Sequence, residues 1–352
     1  MGMKDRTVAP DPSDDPVEYF LQDQLYHGRS DRTREAYGRV LRGFEAFLGD
    51  FDTTADQPAP SQAGQRECMA WVHSLREAHS RSTVATYASY LHRFYRYMVQ
   101  AGVLESNPMS LVVSEMDEAI DTDPVRRDLS VREMRSFVRG IEHPLDKAVV
   151  LVLLKTGIRA GELSNLDLRD VFVTELPIQS PLEVSVRPEL HGRPGSLFVD
   201  PTPIRGNESN NEVRTASNKR QRATVVPVDR ELKRVLARWL AVRPDSASPA
   251  EPLFTSTSGK WGRRLSANMA HHIVERQAKR TGWHQAGETA MTNVTPHYFR
   301  HFFTTHLRDR TGDRGVVKYL RGDVAEDVID TYTHNWGDRV REVYEDNIYQ
   351  LL

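Results

Sequence analysis

Two stretches in the first third of the chain repeat apolar residues at the period of an α-helix. Over Thr33–Leu48, Tyr37, Val40, Leu41, Phe44, Phe47 and Leu48 share one face, and Arg32, Arg39 and Arg42 fall opposite them. Ser30 or Asp31 can cap the start, and Gly49 is expected to stop the helix. Over Thr83–Gln100 a second stripe runs through Val84, Tyr87, Leu91, Phe94 and Met98, ended by Gly102 and Asn107-Pro108. A shorter helix, Ala70–Ala78, is expected between them, after a loop over residues 51–65. The pattern predicts an all-helical domain over residues 16–108, preceded by a flexible acidic leader over 1–15.

Residues 109–128, acidic and carrying Pro124, read as a linker. A second domain, 129–352, opens on Ser130-Val131-Arg132-Glu133, in which Ser and Glu can satisfy each other's free amide groups. The apolar helix Lys147–Lys155 follows. Over 172–228 the pattern turns to short β-prone runs at Glu183–Arg187, Ser196–Val199 and Thr224–Val228, a small sheet interrupted by a long insertion over 176–216. The insertion reads either as an added hairpin reaching DNA or a partner subunit or as a disordered insertion, with Gly206–Glu212 leaning to disorder. Helical patterning returns at Asp229–Ala241 and continues to the C terminus. The fold class expected is mainly α with a small β-sheet.

Composition narrows the function classes. At 39% hydrophobic and 27% charged, with one cysteine, Cys68, the chain has no disulfide framework and no Cys-rich zinc module. The longest apolar run, Ala148–Leu154, is too short to span a bilayer, and Met1–Phe20 lacks the basic-then-apolar order of a secretory leader. A soluble intracellular protein is expected. The net charge of −2 conceals an asymmetry: residues 1–213 hold 24 Lys+Arg against 33 Asp+Glu, and residues 214–352 hold 23 against 16. Arg81, Arg93 and Arg96 lie in an aromatic-rich stretch without acids, compatible with a polyanion partner or with ordinary solvated helix faces.

Four local patterns could carry chemistry. Thr156-Gly157-Ile158-Arg159 sets an arginine at a helix-to-helix turn, with Glu162 three residues on; a fixed guanidinium fork there suits a phosphate, or simply pairs with Glu162. Ser217-Asn218-Lys219-Arg220 precedes a strand and can aim a lysine at a ligand or form a solvated turn. Thr295-Pro296-His297-Tyr298-Phe299-Arg300-His301 starts a helix on which His297 and Arg300 share a face. His297 and His301 also stand four apart, but Tyr298 occupies the place where a zinc hydrolase of that pattern has Glu, and no third ligand is evident. Asp330-Thr331-Tyr332-Thr333-His334 carries a tyrosine near the C terminus.

Taken in order, Arg159, Lys219, His297, Arg300 and Tyr332 resemble the tyrosine recombinase (phage integrase) family. The resemblance covers nearly the whole chain: 16–108 is similar to the family's SAM-like helical core-binding domain and 129–352 to its α+β catalytic domain. It implies a site-specific DNA recombinase or integrase of Xer-like type that cleaves and rejoins duplex DNA without cofactor or metal. Tyr332 would attack a backbone phosphate to give a 3′-phosphotyrosyl link. Arg159 and Arg300 would clamp the non-bridging oxygens, Lys219 (with Lys260 in reserve) would protonate the leaving 5′-oxygen, and His297 would relay the tyrosine's proton. Glu162 would orient Arg159. Arg32, Arg39, Arg42, Arg81, Arg93 and Arg96 are the candidate DNA-phosphate binders. The partners implied are double-stranded DNA and further copies of the chain, four in synapsis, with the tail 335–352 docking on a neighbour. No membrane is implied, and the location is cytoplasmic, at the nucleoid.

One position departs from the family pattern. Nine residues before Tyr332, where a second histidine or a tryptophan is usual, stands Asp323, whose carboxylate cannot donate to a phosphate. Asp323 either orients a neighbour such as Arg321 or weakens the site. The alternatives are therefore a catalytically weakened DNA-binding protein on the same scaffold, a type IB topoisomerase-like relaxing activity, and, from another class, a metal-dependent hydrolase on His297 and His301.

Overall fold

Asp15 starts the first helix, its carboxylate accepting from the amide of Glu18 at 2.9 Å ahead of Pro16 in the first turn. The computed structural model describes residues 11–12, 14–51, 59–121, 124–173, 185–288, 290–323 and 336–352. They belong to two units, Met1–Asp123 and Pro124–Leu352.

The first unit is helical: α1 (Pro16–Tyr26), α2 (Asp31–Phe51), α3 (Gln65–Ala78), α4 (Arg81–Gln100) and α5 (Met109–Glu115). Both sequence stripes are buried, Tyr37, Val40, Leu41, Phe44 and Leu48 from α2 against Val84, Leu91, Phe94 and Met98 from α4. Phe20 of α1 sits between them, its ring centroid 5.5 Å from that of Tyr37 and 5.6 Å from that of Phe94, both edge-on. Two expectations need correction. Gly49 does not stop α2, which runs to Phe51. Residues 109–115 are not linker: Asn107 accepts from the amide of Met109 at 2.9 Å, and α5 buries Met109 and Val112 in the unit's core. Only two of the four apolar residues on this seven-residue helix are buried, Leu111 and Val113 being exposed, so no periodic stripe registers in the sequence.

The second unit is built around α7 (Pro144–Thr156). Its apolar run Ala148–Leu154 is buried on every side, as expected of a helix without a polar face. Around it pack α6 (Val131–Arg139), started by the reciprocal Ser130–Glu133 bonds, and α9 (Arg230–Val242), α10 (Ala267–Arg280) and α11 (Pro296–Thr311). Each buried Leu or Val of α7 contributes about 1.5–3 kcal/mol relative to exposure. The short α8 (Ala160–Ser164) leads into an antiparallel sheet of order β1 (Val171–Phe172), β2 (Ser196–Val199) and β5 (Thr224–Pro227), with Leu197 opposite Val226. Two more helices, α12 (Arg314–Arg321) and α13 (Trp336–Asn347), complete the described α-helices.

The insertion differs from expectation. Residues 185–187 are not a strand; Arg187 leads into a short 3-10 turn, Pro188–Leu190. Gly206–Glu212 is ordered rather than disordered: β3 (Glu208–Ser209) and β4 (Glu212–Val213) pair through Asn210 and Asn211, at φ 54° and 60°, the backbone of a tight hairpin turn. Ion pairs hold it down. Buried Asp167 accepts from both terminal nitrogens of Arg214, at 3.1 and 2.7 Å, from Arg264 at 2.6 Å and from Asn210 at 2.9 Å.

The described part of the tail packs on its own unit. Tyr344, Ile348, Tyr349 and Leu351 are buried in the unit's core. The fully buried ammonium of Lys155 bridges Asp229 at 2.7 Å and Glu231 at 2.8 Å and donates to the carbonyl of Tyr349. Glu231 accepts from the amides of Leu351 and Leu352 at 2.8 and 2.7 Å.

Candidate active site

The turn after α7 places the first arginine. Gly157 caps α7 at φ 63°, and a Cβ on it would stand 2.3 Å from the ring of Phe303 in α11, so only glycine fits. Ile158 is buried beneath the turn and Arg159 begins α8 in extended conformation. Glu162, 1% exposed, accepts from the Arg159 amide at 2.9 Å and from its guanidinium at 3.1 Å. That fixes both the backbone and the fork of Arg159, whose side chain remains about one-third exposed, at 32%.

α11 supplies the second arginine. Thr295 caps the helix by accepting from the amide of Tyr298, and Pro296 fills the first position. Arg300, one turn in, is buried and donates to the Gly157 carbonyl at 2.7 Å and to the Arg321 carbonyl at 3.0 Å. Its guanidinium is thus pinned between the end of α7 and the end of α12, and its outer edge meets Arg159 across Asp323. Burial first, then the neighbouring charges of Arg159 and Arg321, brings its pKa down to about 10.

His297 stands one turn before Arg300 on the exposed side of α11. Partial desolvation holds its imidazole below the ordinary value, helped by the guanidinium groups of Arg126, Arg300, Arg159 and Arg321. A neutral imidazole able to accept a proton results. His301 contacts the ring of Tyr298, centroids 6.5 Å apart, and among the described residues no group of three His, Cys, Asp or Glu is placed to hold a metal.

Asp323 closes the arrangement. Its Oδ1 accepts from Arg300 at 3.0 Å and from Arg159 at 3.3 Å, and its Oδ2 lies 2.8 Å from Nε of Arg321. Lys219 is exposed in the segment just before β5. The residue beside it is the one sequence reasoning missed: Arg220 is buried, donates to Glu162 at 3.3 Å and to the Leu320 carbonyl at 3.1 Å, and passes where a Cβ on Gly322 would lie 2.5 Å from its Cγ. Its only sequence signal was its position between the candidate lysine and a strand. Asn165 ties the same segment to α8, donating to Asn218 at 2.9 Å and to the Ala216 carbonyl at 2.9 Å. Tyr332 and His334 lie outside the described residues.

In the first unit, Arg32 and Arg39 are exposed on α2. Arg42 is already paired, with Asp15 at 2.6 Å and Glu45 at 2.8 Å, and Arg81 donates to the Asp117 carbonyl at 2.8 Å. Arg93 and Arg96 line a cleft of about 340 Å³ with Arg29, His27, Gln24 and Tyr97.

Residues 17–102 match the phage integrase N-terminal SAM-like domain, and residues 207–337 match the Phage integrase family, together more than half of the chain. The chain belongs to the phage integrase family. Among related sequences, tyrosine recombinase XerC of Mycobacterium bovis is 27% identical to this integrase-family chain over 331 residues, covering 91% of it and 94% of the relative. XerC of Vibrio vulnificus is 27% identical over 285 residues, 78% of the chain and 74% of the relative. The Tn1549 transposon integrase in complex with transposon right end DNA shares the fold, with TM-score 0.61 and 18% identity over 95% of this chain and 96% of that one. So does a lambda integrase tetramer bound to a Holliday junction, with TM-score 0.60 and 14% identity over 89% and 77%.

Proposed function

We propose that this phage integrase family member is a site-specific DNA recombinase, breaking and rejoining duplex DNA through a phosphotyrosyl intermediate. The observation that carries the reading is the convergence of the Arg159 and Arg300 guanidinium groups on one point, within 3.3 Å of a single shared oxygen. In the reaction the Tyr332 phenolic oxygen attacks phosphorus, the bond to the 5′-oxygen breaks, and a 3′-phosphotyrosyl ester replaces the phosphodiester. The phenolic proton passes to His297, and Lys219 returns one to the departing 5′-oxygen. Arg159 and Arg300 hold the charge that gathers on the non-bridging oxygens, Glu162 holds Arg159, and no cofactor is consumed. A second strand's 5′-hydroxyl then reverses the step at the same energy.

Duplex DNA is the partner, bound through phosphates by Arg32, Arg39, Arg93 and Arg96 of the helical unit. Arg42 and Arg81 contribute once freed from their internal contacts. Four protomers act together in synapsis, as in the tetramer named above. No described helix is long and apolar enough to cross a membrane, and the place of action is chromosomal DNA in the cytoplasm. A weakened DNA-binding protein is the second reading, and the Asp323 contacts are its basis.

The test is covalent capture. A library of nicked duplexes with randomised sequence is incubated with the protein, and adducts that survive denaturation are sequenced and their peptides mapped. Adducts on Tyr332 are expected. Tyr332→Phe abolishes them, and Arg300→Gln lowers their rate about 100–1000-fold. A protein that binds DNA and never forms the adduct overturns the recombinase in favour of the second reading.

A further inference from the structure

The pocket that should receive a phosphate already contains an anion. Three guanidinium groups, those of Arg159, Arg300 and Arg321, meet the two oxygens of Asp323 at 3.3, 3.0 and 2.8 Å. A carboxylate offers an arginine fork the same flat, charged pair of acceptors as two phosphate oxygens. The surroundings demand such a group. Among the described residues, four guanidinium groups, counting Arg220, pair with two carboxylates, Glu162 and Asp323. Glu162 is committed to Arg159 and Arg220 from below. Asp323, 29% exposed at its side chain, is therefore what separates Arg159 from Arg300 on the open side.

We propose that Asp323 is a placeholder for the scissile phosphate, keeping Arg159 and Arg300 at clamp spacing until a phosphodiester displaces it onto Arg321. The proposal rests on the reading that this pocket takes a DNA phosphate, and it assigns the pocket its regulation. Arg321 suits the receiving role because its Nε already faces Oδ2, and its carbonyl, bonded to Arg300, anchors it whichever way Asp323 turns. Displacement sets a threshold. An isolated phosphate competes with a tethered carboxylate whose effective concentration is on the order of millimolar or higher. A phosphate on DNA gripped elsewhere by the protein is itself tethered and wins. The acid that looked like a defect in the family pattern thus favours cutting only where the duplex is already held.

Inorganic phosphate is the probe, titrated at constant ionic strength into full-length wild type and Asp323→Asn and followed by calorimetry and thermal unfolding. Asp323→Asn should bind phosphate about tenfold or more tightly than wild type. It should also melt lower in phosphate-free buffer and regain that loss at saturation, a recovery that Asp323→Asn with Arg300→Gln lacks. Equal or weaker phosphate binding by Asp323→Asn overturns the proposal. If that variant does not fold, wild type alone decides: the side-chain carboxyl carbon resonance of Asp323 should shift saturably with orthovanadate, and an unmoved resonance overturns it. Neither measurement uses DNA or Tyr332, so a missing phosphotyrosyl adduct beside intact phosphate behaviour would condemn the recombinase reading and not the displaceable carboxylate.

Discussion

Two ion networks in the catalytic unit look alike on paper and behave as opposites. Around Lys155, one buried ammonium faces Asp229 and Glu231, and the remaining acceptor capacity is filled by the amides of Leu232, Leu351 and Leu352. Every group has a partner within the chain, and solvent is excluded. Around Asp323, among the described residues, four arginines outnumber two acids, Arg159 is partly open to water, and Arg300 is held down near a pKa of 10 by burial and its like-charged neighbours. A closed network of this kind fixes a chain end. An open one with surplus positive charge favours an anion. Buried charge alone does not mark a functional site; imbalance and access do.

The largest expected effect tests the closed network. Lys155→Met strands Asp229 and Glu231 without their cation and should cost about 3–5 kcal/mol, lowering the melting temperature of a unit this size by roughly 10 °C. Added phosphate should restore none of it, in contrast to Asp323→Asn. An unchanged melting temperature would erase the distinction between the two networks.

A smaller loss is expected at the turn that joins the open network to the core. Gly157→Ala forces a side chain into left-handed backbone against Phe303 and should cost about 1–3 kcal/mol. Because the Gly157 carbonyl anchors Arg300, Tyr332 adduct formation should fall with it. Melting curves and adduct yield, measured on the same preparation, report the two losses, and full adduct yield in a destabilised variant would show that Arg300 needs no such anchor.

The mildest effect is on His297. Its lowered pKa means that folding favours the neutral ring, so the associated stability is complete above pH 6.5 and is lost as pH falls through the folded value. NMR titration should place its midpoint below 6.5, and saturating phosphate should raise it by offsetting the arginines. A midpoint at or above 6.5 in phosphate-free buffer would mean that the cluster's positive charge is already neutralised.

The sequence made the repetitive parts of this arrangement legible and left the singular ones obscure. The stripes of α2 and α4, the strand Ser196–Val199 and the start of α11 are written in periodicity and caps, and His297 and Arg300 follow from sharing a helix face. Arg220 was hidden because an arginine in a polar run looks solvated; its burial depends on Glu162 and Gly322, 58 residues before and 102 after it. The hairpin at Asn210-Asn211 was read as disordered because its anchor is the Asp167 ion cluster rather than an apolar face. The destination of the tail was equally illegible, since apolar residues at a chain end show that something is buried and not where. Tyr332, the proposed nucleophile, falls in 324–335, outside the described residues, and its proposed role rests on sequence order.

The contact between Gly322 and Arg220 bears on how this gene can vary. The Arg220 side chain that bonds Glu162 passes 2.5 Å from where a Cβ on Gly322 would stand, so a missense codon at 322 pushes a side chain against Arg220. Inactivating alleles can therefore arise at a residue that bears no reactive group. A compensating change at 220 that makes room by shortening the side chain removes the same prop from Glu162, so simple second-site reversion between these two codons is closed.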